Sequence, residues 1–125
     1  MVGRALRTAL EVPQLVRAAV MEDLSFRHTT SRRAAGGRRM AIVGVVASGN
    51  LEVLAERVLP DDECRLDVRT AVTGFGDVWR AVTADFVDRH SPGGIRFSIN
   101  DGGARPDTVS LRLAQAARMM AEDER

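Results

Sequence analysis

The chain has 125 residues, 45% of them apolar, and a formal net charge of +1, which suits one modest core and gives no global case for nucleic acid or membrane binding. All 18 basic residues are arginine, so a lysine Schiff base, a P-loop lysine and lysine-tethered biotin or lipoate are excluded. Cys64 is the single cysteine beside His28 and His90; this rules out a disulfide framework, points to a reducing, cytoplasmic compartment, and leaves no close ligand spacing for zinc.

Charge is uneven along the chain. Residues 1–39 hold eight arginines against three acids (+5), and residues 40–125 hold ten against fourteen (−4). Residues 1–20, interrupted by Pro13, read as a leader or as mis-assigned upstream sequence, with Met21 opening a single domain over 21–125. Leu24 and Phe26 alternate with polar neighbours as a strand does. Residues 29–39, "TTSRRAAGGRR", form a loop. Two β-rich runs follow, Met40 to Ala47 and Leu51 to Val58, around a turn at Ala47-Ser48-Gly49-Asn50. After an acidic turn at 60–63, "CRLDVRTAV" puts Leu66, Val68, Thr70 and Val72 on one face and Arg65, Asp67 and Arg69 on the other.

Gly74 closes that strand and a helical period begins. Phe75, Val78, Trp79, Val82 and Phe86 form one stripe, expected to be core, and "SPGG" at 91–94 stops the helix. Ile95, Phe97 and Ile99 alternate as a further strand. Pro106 suits a first helical position with Asp107 beside it, and Val109, Leu113, Ala116 and Met120 carry the buried stripe of the last helix. The order β-β-β-β-α-β-α predicts an α+β fold. It would be a mainly antiparallel sheet of four to five strands with two helices packed on one face. No apolar run approaches the ~20 residues a membrane span needs.

Candidate sites are few. Ser48 in a turn reads first as turn chemistry. A serine nucleophile needs a base and an oxyanion hole, and "ASGN" is not the G-x-S-x-G elbow. His90 at a helix C-terminus suits a capping cation, and Cys64 at a strand edge reads as inert. "NDGG" at 100–103 is either an anion-binding nest or a tight strand-to-helix connection. Met119 and Met120 are expected to close the core. Arg32, Arg33, Arg38 and Arg39 lie just before the strand leading to Ser48, where a phosphate would find guanidinium partners.

Three blocks together resemble the acyl carrier protein, or delta subunit, family of bacterial malonate decarboxylase. They are "VASGNLEVL" at 46–54, "VRTAVTGFGDVWRAV" at 68–82 and "INDGGARPDTVSLRLAQA" at 99–116; the resemblance runs from about Met21 to Met120. It implies that Ser48 bears 2'-(5''-phosphoribosyl)-3'-dephospho-CoA through a phosphodiester. The arm then carries acetyl and malonyl as thioesters, and decarboxylation of the malonyl form leaves charge that the thioester carbonyl delocalises. The chain itself would be a non-catalytic carrier. Its implied partners are an acetyl-CoA/malonate:carrier transferase subunit, decarboxylase subunits, a prosthetic-group transferase (holo-carrier synthase) and a malonyl-loading enzyme, with no nucleic acid and no membrane. The family more often has Gly-Ser-Gly-Asp at the serine, so Ala47 and Asn50 are departures; Glu52 keeps a carboxylate nearby. The alternatives are a citrate-lyase-type carrier using the same arm and an unmodified interaction domain.

Overall fold

The computed structural model describes residues 21–45 and 48–123. The expected leader, residues 1–20, lies outside the described residues, as do Val46 and Ala47. Among the described residues there are five strands: β1 (Glu22–Thr29), β2 (Met40–Val45), β3 (Ser48–Arg57), β4 (Glu63–Thr70) and β5 (Ile95–Asp101). Helix α1 (Gly76–His90) separates β4 from β5, and helix α2 (Pro106–Met120) follows β5. The element order is the one expected from the sequence.

Spatially the strands run β1-β4-β5-β3-β2. All neighbours are antiparallel except β4 and β5, which are parallel and joined through α1. The two-residue period of the sequence becomes two unlike faces. Leu51, Val53 and Ala55 of β3, Leu66 and Val68 of β4, and Ile95, Phe97 and Ile99 of β5 are buried beneath the helices. The opposite face is polar and tied by cross-strand pairs. Arg96 of β5 meets Glu56 of β3 at 2.9 Å and the Ser25 hydroxyl of β1 donates to Asp67 of β4 at 2.8 Å, while Arg65 meets Asp67 within β4 at 3.0 Å. Such wet pairs fix register more than they stabilise.

Helix α2 buries Val109, Leu113, Ala116 and Met120, the stripe its sequence predicts. Each large side chain there contributes roughly 1.5–3 kcal/mol by leaving water. Helix α1 departs from expectation. Its buried face is Trp79, Thr83, Phe86 and Val87, with Phe86 edge-on to Phe97 at 5.1 Å. Phe75 is 50% exposed, Val78 42% and Val72 37%. Phe75 precedes the first turn and Val72 lies beyond the last residue of β4, so neither has sheet beneath it. The helix ends as expected: Ser91 takes a left-handed φ of 42° and its N–H donates to the Val87 carbonyl.

The sheet has two unlike borders. Strand β1 carries Glu22, Asp23 and Arg27, whereas β2, "MAIVGV", carries no charge and exposes Met40 and Ile42. The two ends of the sheet also differ. One end gathers the β2–β3 connection, the last residues of β4 and β5, and the N-termini of both helices. The other gathers the 30–39 loop, the 58–62 turn and both helix C-termini.

Candidate functional site

Ser48 is the first residue of β3 and pairs with Val45. Strand pairing therefore resumes at the serine, so it stands at the mouth of the strand and not inside the turn as expected. Two backbone features shape this hairpin. The β2–β3 register shifts between Val43 and Val45, and Gly44 sits in that bulge at φ +76°. Asn50 adopts φ +60°, a left-handed conformation that asparagine tolerates better than most residues. Its carbonyl accepts from the Gly102 N–H at 2.8 Å, which ties the hairpin to the loop after β5.

Gly44 is required for a second reason. A Cβ there would lie 1.8 Å from a guanidinium nitrogen of Arg112 and 2.6 Å from the Leu51 carbonyl oxygen. Arg112, from the second turn of α2, fills that space and donates to the Leu51 carbonyl at 2.5 Å. A half-buried guanidinium thus stands at the base of the hairpin that begins β3. Sequence reasoning passed over Arg112; its one available signal was the Leu-Arg-Leu run in the third block.

The arginines named from the sequence lie elsewhere. Arg39 is bonded through its carbonyl to the Arg57 N–H, at the opposite end of β3 from Ser48. Nine residue steps at a strand's rise separate those ends, roughly 30 Å. Arg38 is occupied by Glu122 at 2.9 Å, and Arg33 faces Asp61 at 3.7 Å. Proximity in sequence misled because β2 is extended and carries its two ends apart.

"NDGG" resolves as a connection. Asp101 is buried; its carboxylate accepts from the Thr70 hydroxyl at 2.7 Å and from the Ala104 N–H at 2.8 Å. A carboxylate holding the loop's N–H leaves no nest for an anion. Glu52 faces the polar side, accepting from the Asn100 amide at 3.3 Å.

The remaining candidates are structural. Cys64 is buried in an interior strand, and burial pushes its thiol up to about 12. At His90, in the last turn of α1, burial and then the Arg118 and Arg89 charges hold the imidazole below the ordinary 6.5, which works against the capping cation expected there. Met120 is fully buried and Met119 packs against the core. Among the described residues, no group of three or more His, Cys, Asp or Glu is placed to hold a metal ion, and no helix is long and apolar enough to cross a membrane.

An apolar cavity of about 300 Å³ opens beside the hairpin's end of the sheet, between the first turns of α1 and α2. Its walls include Val72, Phe75, Val78 and Trp79, with Thr70 and Asp101 as its polar members. Of the stripe that the sequence assigned to core, Phe75 and Val78 form the cavity's exposed rim, while Trp79 is buried as expected.

Fold and hairpin define a small α+β domain that presents one end of its sheet beside two helix N-termini. Residues 38–120 match the family described as malonate decarboxylase delta subunit (MdcD), an acyl carrier protein family. The chain is 74% identical over 103 residues to the malonate decarboxylase acyl carrier protein of Bradyrhizobium diazoefficiens, covering 82% of this chain and 98% of that one. It is 53% identical over 96 residues to the protein of the same name from Xanthomonas axonopodis pv. citri, covering 77% and 91%. A chain in the crystal structure of a Pseudomonas malonate decarboxylase hetero-tetramer in complex with malonate superposes at TM-score 0.68. The two are 35% identical, over 79% of this chain and 98% of that one. The chain belongs to the malonate decarboxylase acyl carrier protein family.

Proposed function

We propose that this chain is the acyl carrier subunit of a malonate decarboxylase and that the Ser48 hydroxyl is where its phosphoribosyl-dephospho-CoA arm is attached, through a phosphodiester. The observation that carries the reading is the coincidence of Ser48, at the mouth of β3, with the serine block of the family to which the chain belongs.

The residues around the hairpin suit such a group. The Arg112 guanidinium at the hairpin base, which donates to the Leu51 carbonyl, puts a cation at the same end as Ser48, and a cation suits a phosphodiester better than an uncharged ester. Asn50 keeps the turn geometry of the family's aspartate without its charge, while Ala47 lies outside the described residues. The arm, when bound, supplies a thioester whose carbonyl accepts the charge left as carbon dioxide departs.

This chain's own residues do none of that chemistry. Ser48 tethers, which raises the local concentration of the acyl group at each catalytic site. Gly44, Arg112 and Asn50 hold the hairpin that presents it. Acyl transfer and decarboxylation belong to partner subunits, and attachment to a holo-carrier synthase, all in the cytoplasm. The MdcD match sets the citrate-lyase type of carrier aside.

Intact-protein mass and peptide mapping, on chain co-produced with the arm-synthesis and transferase enzymes, test the reading. The expected result is the mass of one phosphoribosyl-dephospho-CoA on the Ser48 peptide, absent in Ser48→Ala. Unmodified protein, with a transferase proven on another carrier of the family, would sink it.

A further inference from the structure

The cavity between α1 and α2 is not needed by the fold. A core would close over Phe75 and Val78; here they are 50% and 42% exposed around a space of about 300 Å³. Isolated exposed apolar residues need no explanation, but a group of them lining a concavity marks a binding site. Its position narrows the ligand. Asp101 lines the cavity and is the strand partner of Leu51, three residues along β3 from Ser48. By strand geometry the cavity mouth and Ser48 are roughly 10–15 Å apart. An arm made of a sugar phosphate, a nucleotide and a pantetheine tail in series spans that gap with length to spare.

Size and chemistry narrow it further. The volume stands at the small end of the roughly 300–1,000 Å³ that small-molecule sites use, which fits a slim tail and not a nucleotide. The walls are apolar, apart from the Thr70 hydroxyl and the Asp101 carboxylate at one side. The Asp101 oxygens already accept from Thr70 and Ala104, so the group is fixed in place. An uncharged tail gains by leaving water there. A tail ending in a carboxylate would lose its hydration in an apolar space beside a fixed negative group, with no cation among the lining residues to offset the cost.

We infer that this cavity is a berth for the uncharged tail of the arm on Ser48, as free thiol or acetyl thioester, and that the malonyl form is held outside it. The inference rests on the reading of Ser48 as the attachment site. Its consequence is a carrier that shelters its resting cargo and leaves the reactive, carboxylated cargo exposed for a partner to collect.

Two native probes make this testable. Trp79, the sole tryptophan, lines the cavity and reports its filling by fluorescence. Cys64 is buried with its thiol pushed up to about 12, so it stays silent towards a thiol reagent in the folded protein and the arm thiol is read alone. Holo-protein, its modification first verified by mass, is treated with dithiobis(nitrobenzoate) beside free dephospho-CoA. The expected result is at least ~10-fold slower reaction of the tethered thiol, together with a change in Trp79 emission between apo and holo forms. In Val78→Asp the thiol rate should rise to that of free dephospho-CoA. The substitution places a charge at the rim, on an exposed site in a helix's first turn where an acid is tolerated, and circular dichroism checks the fold. Acetyl-holo protein should keep the Trp79 change, and malonyl-holo protein should lose it.

A tethered thiol as reactive as the free one, with unchanged Trp79 emission, overturns the berth and leaves the carrier reading intact. Equal Trp79 responses to acetyl and malonyl forms overturn the exclusion by charge. A Trp79 response seen only when decarboxylase subunits are added overturns the berth in favour of subunit docking. Absence of added mass on Ser48 overturns the attachment reading and the berth with it.

Discussion

The two ends of the sheet are built on opposite principles. At the far end, Arg57 donates to the carbonyls of Arg38, Ala34, Ala35 and Met120 at 2.8–3.1 Å. One side chain thereby gathers a loop and the end of α2. Gly93 is packed so closely that a Cβ would meet the carbonyls of Asp61 and Arg32 at 2.1 and 2.3 Å. At the near end stand a bulged hairpin, two left-handed turns of backbone at Gly44 and Asn50, an open cavity and exposed apolar residues. The contrast teaches a division of labour: satisfied backbone and tight packing hold one end, so that the other can present a group and still keep its shape.

The comparison breaks most readily at Arg57. Arg57→Ala leaves several carbonyls without their charged donor and should cost about 2–4 kcal/mol, read as a lower urea midpoint at unchanged slope. Ser48 modification should persist wherever the variant remains folded. A loss of modification in folded Arg57→Ala would mean that the ends are coupled. Gly44→Ala is the mirror experiment. It forces Cβ into the Arg112 guanidinium and an L-residue into φ +76°, at a cost of about 1–3 kcal/mol. Here the rate of Ser48 modification should fall more than stability does, and an unaffected rate would show that hairpin shape is unimportant to the transferase.

A smaller effect follows from the imidazoles. Burial holds both His28 and His90 below the ordinary 6.5, with the Arg118 and Arg89 charges adding to it at His90; His28 Nε2 is buried without a hydrogen-bond partner. The unfolded chain therefore binds more protons as pH falls below 6.5. Their contribution is complete above that value and is lost as pH drops towards the folded-state values. The urea midpoint should thus fall between about pH 7 and pH 5, and less steeply in His28→Gln. The smallest effect belongs to Asn50→Gly. Glycine accepts φ +60° as readily, so stability should move by no more than about 0.5 kcal/mol. Asn50→Val should cost roughly 1–2 kcal/mol by the same measurement.

Much of this molecule is legible in its sequence, for a specific reason. The period of Val109, Leu113, Ala116 and Met120 states which face of α2 is buried. Likewise, the alternation of Leu66, Val68 and Thr70 states which face of β4 is. Periodicity reports faces and not neighbours. Nothing local says that β5 inserts between β4 and β3, and so nothing told that Asp101 would stand beside Leu51. Phe75 and Val78 were misplaced for a related reason, since an apolar residue at the right spacing is core only if sheet extends beneath it. The basic cluster misled through chain distance, while Arg112, 64 residues after Ser48, is brought to the hairpin by the packing of α2 on β2 and β3. Arg57 left no local signal at all, because its partners are backbone carbonyls of the 30–39 loop and of the end of α2.

One border of the sheet has a consequence for how the chain behaves among copies of itself. Among the described residues, strand β1 is guarded by charge, but β2 offers six residues without one, Met40 and Ile42 turned to water, and no strand paired along its outer edge. Crowding therefore acts on this border first. As the free subunit accumulates, edge-to-edge pairing through β2 should set its solubility limit, and a single Ile42→Lys should raise that limit without touching the core. For a cell making the chain, the relevant quantity would then be its excess over whatever covers that border.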